Sequence, residues 1–470
     1  MRKLSNLFIL LICPVFLCGQ ITTFYTSENM IFSKSILDST KKINTDTTQQ
    51  ISIGPRIFGV SSSSNNHVHY SYILGADLSA NIGKKIAITA SYDKLEGDHN
   101  SLVANYFDSL GVYTDFGAKK RRYAFNINYT FKKFFALDLG KGNHFIGNGY
   151  RSLLLSSDHA PYPYLKLTTE FGRIKYYNLY TTFLNSQMNE YIRKKHAALH
   201  FLEFSLTQNI NIGVFEGILW QSKIQNLHNG YEFAYMNPII FYRPVEFSMG
   251  SNKGNALMGA NFNMTFDKTA FYSQILLDDL NISRQKDADE DYASGFFQNK
   301  FAFQFGVKTN IKGINLLAEY NQTQPYTYGH RTILQNYSHM NQALAHPLGA
   351  NFKEILLLAE YKKDSWSFNL KITSANIGLD SLNTHYGQNI FVSDHDASTG
   401  GQVSYGNFNG QGVATQINTI LAEVAYSLKW FDLFGSVYYR TKKSNLLHRP
   451  MGIGVQGLAD VFAKLNIAFD

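Results

Sequence analysis

The residues best equipped for chemistry lie in one stretch, Gly140 to Tyr164, which reads GKGNHFIGNGYRSLLLSSDHAPYPY. Tyr150, Tyr162 and Tyr164 supply aromatic faces, Arg151 a guanidinium and Asp158 a carboxylate. Aromatic faces stack on sugar rings, while Arg and Asp hydrogen-bond hydroxyls or carboxylates; together these are the groups of a polysaccharide site. Gly142, Asn143, Gly147, Asn148 and Gly149 suit a backbone that turns tightly in a confined space. Leu153 to Leu155 is an apolar run too short to span a membrane and poorly placed in an exposed loop. The combination predicts a loop folded back into an enclosure, with Tyr150, Arg151, Tyr162 and Tyr164 near its opening. A constriction that merely holds neighbouring loops shut would use the same residues.

Other chemistries find little support. There is no nucleophile elbow, HExxH pair or Walker loop, so no catalytic residue is assigned and the chain is read as a non-enzyme without cofactor. His67 and His69 share a strand face, and His196 and His200 fall near a strand start, but a metal site needs three or four converging ligands. These are read as ordinary lumen or loop histidines. The acidic run Asp287, Asp289, Glu290 and Asp291, near Asp278 and Asp279, lacks the glycine and spacing of a calcium loop and reads as a solvated loop. Cys13 and Cys18 are the only cysteines, both inside the first twenty residues, so the rest of the chain has no disulfide or thiolate metal site.

Those first twenty residues have the form of a secretory signal: Arg2 and Lys3, an apolar run from Leu7 to Leu17, then Cys18-Gly19-Gln20. Residues 21–49 read as a short periplasmic extension, and 50–470 as one large unit. Aromatics make up 15% and charged residues 17%, and no later stretch is long and apolar enough for a spanning helix. Without Arg2 and Lys3 the net charge falls from +8 to +6, which specifies no nucleic-acid partner.

The element that recurs is a strand with period two. Tyr123, Phe125, Ile127, Tyr129 and Phe131 alternate with Ala124, Asn126, Asn128 and Thr130. Phe301, Phe303, Phe305 and Val307 alternate with Ala302, Gln304, Gly306 and Lys308, and Trp366, Phe368, Leu370 and Ile372 with Ser367, Asn369, Lys371 and Thr373. Such runs fall near 50–60, 67–80, 84–95, 121–131, 134–140, 161–171, 173–184, 198–208, 210–219, 255–266, 269–278, 298–309, 313–323, 352–362, 364–374, 413–428, 430–441 and 455–469. Alternate connections are tight (Lys132-Lys133, Gly172, Asn209, Asp267-Lys268, Lys363), whereas 96–120, 141–160, 220–254, 324–351 and 375–412 are long and polar. The expectation is an all-β, transmembrane, antiparallel up-and-down barrel of about 18 strands in the outer membrane of a Gram-negative bacterium, with long loops outside and short turns in the periplasm. Phe469, one residue before the end, would serve the barrel assembly machinery, with periplasmic chaperones and outer-membrane lipid and lipopolysaccharide as the remaining expected partners.

Several blocks resemble the Wzi-like capsule assembly outer-membrane barrels, and most nearly the branch described as RemB-like gliding motility proteins. They are Gly147 to Pro163, Tyr231 to Phe247 (YEFAYMNPIIFYRPVEF), Gly254 to Leu257, Ala318 to His330 (AEYNQTQPYTYGH) and His346 to Asn351. The resemblance implies an eighteen-stranded barrel that binds surface polysaccharide or helps assemble it, and, in the RemB-like branch, supports surface spreading. It adds Arg243, Glu246, Tyr326 and His330 to the candidate ligand or loop-plug residues. Arg243 and Glu246 flank Pro244 in an apolar stretch, and Glu319 alternates onto the lumen side; such charges pair into braces or touch a ligand. One departure is that the capsule proteins carry a periplasmic helical bundle before the barrel, for which 21–49 is too short.

Overall fold

The computed structural model describes residues 9–12, 49–64, 67–97, 121–132, 134–185, 193–224, 227–228, 230–238, 254–280, 295–381, 384–395, 402–428 and 432–444. The strands are β1 (Ile9–Ile12), β2 (Gln49–Ser64), β3 (His67–Ile82), β4 (Ile86–Gly97), β5 (Arg121–Lys132) and β6 (Phe135–Gly142). Next come β7 (Tyr162–Phe171), β8 (Ile174–Asn185), β9 (Arg193–Ser205), β10 (Ile210–Gln221) and the small pair β11 (Lys223–Ile224) and β12 (Leu227–His228). β13 (Asn255–Phe266), β14 (Thr269–Asp279), β15 (Lys300–Ile311) and β16 (Ile314–Thr323) follow, then a second small pair, β17 (Ser338–His339) and β18 (Gln342–Ala343). β19 (Phe352–Lys363), β20 (Trp366–Leu379), β21 (Val413–Ser427) and β22 (Asp432–Ser444) complete the set.

Apart from β1 and the two small pairs, each strand pairs antiparallel with the next long strand in sequence, from β2–β3 through β21–β22. β1 pairs with β22 and touches β2 at Leu10↔Ser61, so the ladder closes on itself as an 18-stranded sheet. Closure removes the free edges that an open sheet would expose. Seventeen long strands lie where the alternating pattern predicts them. The predicted strand at 455–469, with Phe469, lies outside the described residues. Ile9–Ile12, within the stretch read as a secretory signal, pairs with β22. The acidic run 287–291 and most of 21–49 lie outside them too.

The alternation sorts side chains by solvent. Trp366, Phe368, Leu370 and Ile372 point out and are exposed on the wall, while Ser367, Asn369 and Lys371 point in. Gln304 and Lys308 are buried inside β15 while Phe305 is exposed outside. An apolar exterior with a polar interior inverts a soluble sandwich and is the pattern of a barrel in lipid. At the short-turn end the chain reverses in two to four residues, with Asp267, Lys312 and Asp364 at positive φ. At the other end the connections fold inward. Ile146, Leu153, Leu154 and Leu155, all fully buried, join Phe201, Phe215, Tyr328 and Tyr337 in the principal apolar cluster. Toward this end the barrel interior is therefore occupied by its own loops.

Candidate functional site

The chain between β6 and β7, residues 143–161, enters the barrel and is held there by wall side chains. Gln274 on β14 grips it from both sides: its Nε2 donates to the Ile146 carbonyl (2.9 Å), and its Oε1 accepts from the Leu153 amide (2.9 Å). Asn261, opposite Gln274 in the β13–β14 ladder, donates to Asn148 Oδ1 (2.8 Å). Gln304 on β15 donates to the Arg151 carbonyl (2.9 Å). Glu319 on β16 accepts the Tyr150 amide (2.8 Å), the Arg151 amide (3.1 Å), the Tyr272 hydroxyl (2.8 Å) and Asn321 Nδ2 (2.8 Å). A buried carboxylate is stable only when its lone pairs are met in this way.

Two glycines are required by this fit. Gly147 adopts φ +149°, and a Cβ there would strike the Gln274 amide. A Cβ on Gly149 would meet the Glu319 carboxylate, the Arg151 carbonyl and the Tyr272 ring. The glycine signal in the sequence thus reports close approach of the loop to the wall.

Arg151 is the charged centre. Its guanidinium reaches Glu354 on β19 through Nε (3.4 Å) and Nη2 (3.3 Å), and Asp158 through Nη1 (3.1 Å). Burial works against the charge, but Glu354 and Asp158 outweigh it and raise the pKa further above its ordinary value. Glu354 also receives His346 Nε2 (2.7 Å) and Asn321 Nδ2 (3.2 Å). Two carboxylates, one guanidinium and one imidazole thus tie two loops to the wall, a fully partnered network with high cost to any member's loss. Tyr150 is half-buried beside it; its hydroxyl accepts from Lys371 Nζ on β20 (2.8 Å).

The loop 324–351 caps this plug. The Tyr328 hydroxyl donates to the Leu153 carbonyl (2.8 Å), Tyr337 to the Leu154 carbonyl (2.7 Å), and the Ser156 amide to the Leu344 carbonyl (2.8 Å). Lys195 on β9, fully buried, donates to the Asn336 carbonyl and Oδ1 (both 2.6 Å) and to Ser338 (3.0 Å). Lys300 on β15 pairs with Asp394 and donates to the Gly329 carbonyl, tying in the loop after β20. Asp394 is pulled up by burial, yet Lys300 and His395 prevail and hold it below the usual carboxylate range.

Several expectations change at this level. Tyr162 and Tyr164 sit not at an opening but within the packed interior on the inward face of β7, at 0% and 8% exposure. Tyr162 is enclosed by His144, His159, Phe183 and His339. Tyr326 is buried at positive φ, donating to the His385 carbonyl (2.6 Å) and accepting the Val403 amide (2.9 Å), so it joins two loops. His330 lies in the same cap, its pKa lowered to about 3 by burial and then by Lys300. Arg243 and Glu246 lie outside the described residues. His196 and His200 are not lumen or loop residues: β9 starts earlier than predicted, at Arg193, and both face outward from the wall. Among the described residues no group of three or more His, Cys, Asp or Glu is placed to hold a metal.

Sequence reasoning missed the wall residues Gln274, Gln304, Asn321, Glu354 and Lys195. Each is a polar residue on the inward parity of its strand, a signal that exists but is shared with every solvated lumen residue. It also missed a cavity of about 180 Å³ on the outer side of the plug, whose lining includes Asp158, Gln342, Leu348, Gln388, Asn389 and Phe391. Three separate loops supply it, and among the described residues no Lys or Arg lines it.

The histidines of plug and cap respond to acid. Burial lowers the pKa of His144, His159, His339 and His346, and brings His330 to about 3. In the opened loops each would titrate near 6.5. Below that value the opened form binds more protons than the closed one, so closure is fully stable above pH ~6.5 and weakens as pH falls toward 3. Hydrogen exchange of residues 143–161 and 324–351 should therefore accelerate steadily between pH 6.5 and 4 after correction for intrinsic rates; a flat profile would show that these histidines are not what acid opens.

No family model matches the chain. Among solved structures it is similar to Wzi, an outer membrane protein involved in group 1 capsule assembly in Escherichia coli and a carbohydrate-binding β-barrel. The TM-score is 0.53 with 14% identity, over 84% of this chain and 80% of that one. It is also similar to OccK8 (OprE) of Pseudomonas aeruginosa, with TM-score 0.43 and 9% identity over 85% and 98% of the two chains. A stretch of 29 residues is 69% identical to the ribonucleoside-diphosphate reductase large subunit of Dictyostelium discoideum. That stretch is 6% of this chain and 3% of the reductase, so the chain spans a very small part of that relative. The closed antiparallel ladder, the apolar exterior, the short-turn and long-loop ends and the likeness to Wzi together make this chain an outer-membrane β-barrel.

Proposed function

We propose that this chain is a non-enzymatic surface barrel that binds, anchors or helps assemble a capsule-like polysaccharide through loops that close its mouth. The observation that carries the reading is the cavity on the outer side of the plug. Its lining offers amides at Gln342, Gln388 and Asn389, one carboxylate at Asp158 and an aromatic face at Phe391. Amides and a carboxylate match sugar hydroxyls, and an aromatic face matches the apolar side of a pyranose. With no Lys or Arg among the described lining residues, the site favours neutral or amino sugars over uronic acids. The Wzi likeness supports the same direction, since that protein is described as a carbohydrate-binding barrel. The blocks that resemble the RemB-like branch extend the proposal to gliding or surface spreading.

A diffusion channel is the competing use of such a barrel, and a plug with this many wall contacts argues against it. Planar-bilayer recordings and glycan binding on the same preparation separate the two. The expected result is near-silent bilayers and saturable binding of the host's own surface polysaccharide. Replacing Gln388 and Asn389 by Ala should weaken that binding about tenfold, or ~1.4 kcal/mol. Steady ohmic conductance with no glycan bound would establish the channel instead.

A further inference from the structure

The short turns carry a feature that neither the plug nor the cavity uses. Lys84 and Lys85 lie between β3 and β4, Arg173 between β7 and β8, Lys268 between β13 and β14, and Lys312 between β15 and β16; Lys363 ends β19. All of these residues are exposed. Because consecutive strands are neighbours in a closed ladder, the turns are spread round one rim rather than gathered on one side. Among the described side chains of this rim the exposed carboxylates are Asp267 and Asp364, in the turns of Lys268 and Lys363, and Glu170, which pairs with Lys175 (3.5 Å). Cations therefore outnumber acids at the short-turn end.

The wall beside them fixes the layer they occupy. Ile82, Phe171, Phe266 and Ile311 close their strands on the outward face, and Trp366 opens β20 there; all are exposed. Phe134 packs against Phe171 with ring centroids 5.6 Å apart, and Trp366 against Tyr426 at 4.7 Å. Apolar and aromatic side chains at the end of a lipid-facing strand mark the edge of the hydrocarbon. Each residue advances a strand by ~3.3 Å, so a cation one or two positions past the last apolar side chain stands ~3–7 Å beyond that edge. The headgroup layer is itself about 5–7 Å deep on each side of the core. Lys363 pairs with Trp366 in the ladder and is level with it; its long stem carries the ammonium out to the same layer.

With the short turns on the periplasmic side, the leaflet they meet is the phospholipid one. Its phosphates are the anions at this depth. A zwitterionic headgroup brings its own ammonium, which the rim repels, whereas a headgroup of net negative charge brings none. A cell-wall polymer is also anionic, but it lies beyond the headgroup layer that the aromatic edge locates.

We infer that the short-turn rim is a binding surface for anionic phospholipid headgroups, with Lys84, Lys85, Arg173, Lys268, Lys312 and Lys363 as the phosphate contacts. The full chain is reconstituted in phosphatidylcholine vesicles, with a trace of phosphatidylglycerol or phosphatidylcholine spin-labelled near the end of its acyl chain. Electron paramagnetic resonance then measures the lipid held at the wall. The expected result is a preference of about fivefold for phosphatidylglycerol at low salt, falling toward unity at about 1 M salt. Replacing all the named cations by Gln should abolish the preference while circular dichroism stays as in the parent. A control with Lys194, Lys353 and Lys443, exposed at the mouth end, replaced by Gln should keep it. No preference in the parent, one that survives the rim replacements, or one lost equally in the control would each overturn the inference. So would sedimentation of the parent with purified peptidoglycan, abolished by the rim replacements, in the absence of any lipid preference; the rim would then belong to the cell wall.

Discussion

Replacing Arg151 by Ala is expected to unseat the plug. Glu354 and Asp158 lose the guanidinium they share, and Glu354 is left buried with only His346 and Asn321 as partners. Removing one partner of a buried ion pair costs ~3–5 kcal/mol, far more than an exposed pair would. That energy falls on the closed loops rather than on the wall ladder, because Arg151 belongs to the inserted chain. The expected observation is fast hydrogen exchange of 143–161 with the strand amides unchanged, together with discrete conductance steps in planar bilayers. Combining Arg151→Met with Glu354→Gln and Asp158→Asn should restore much of the closure, since it removes the uncompensated charges as well as the cation. If Arg151→Ala leaves exchange and conductance as in the parent, the network does not hold the plug.

Glu319→Ala tests the same lock from the wall. The change strips acceptors from the Tyr150 and Arg151 amides and from the Tyr272 hydroxyl and Asn321 amide. A buried donor left without a partner costs ~1–3 kcal/mol, so the two plug amides alone account for about 2–6 kcal/mol. Glu319→Gln should be milder: one oxygen still accepts, but its new N–H₂ faces donors. The expected order of plug exchange rates is parent, then Gln, then Ala. Equal rates for Gln and Ala would indicate that the negative charge of Glu319, rather than its count of accepted hydrogen bonds, sets the stability.

These two positions show how unevenly the site could be read in advance. Arg151 and Asp158 stand out because charge sits within a Gly/Asn-rich, locally apolar loop. Glu319 is visible as a carboxylate on the inward parity of β16. Glu354 and Gln274 give no such sign: each is one polar inward residue among many, and its partner is more than a hundred residues away in sequence. Tyr162 and Tyr164 mislead for a related reason. Their type suits a sugar platform, but their inward parity at the start of β7 places them beneath the cap.

The outer wall is the sharper case. Strand parity puts His200 and Glu216 on the lipid side, and such residues are expensive there unless covered. Periodicity identifies the sidedness of a strand but not what lies against it. That Gly230–Pro238 folds down the outside while 143–161 folds inside depends on contacts such as Trp220 with Gly230 and Gln274 with Leu153.

The amino-acid sequence by itself determined the barrel, its strand places and its two unlike ends, because period-two alternation and turn length are local and each strand repeats the signal. The tertiary structure decided which loop fills the mouth, which is tied to the outer wall and which residues carry each lock. Those choices rest on single hydrogen bonds and charges between distant segments, and no local pattern encodes the distance between two segments that meet only when the sheet closes.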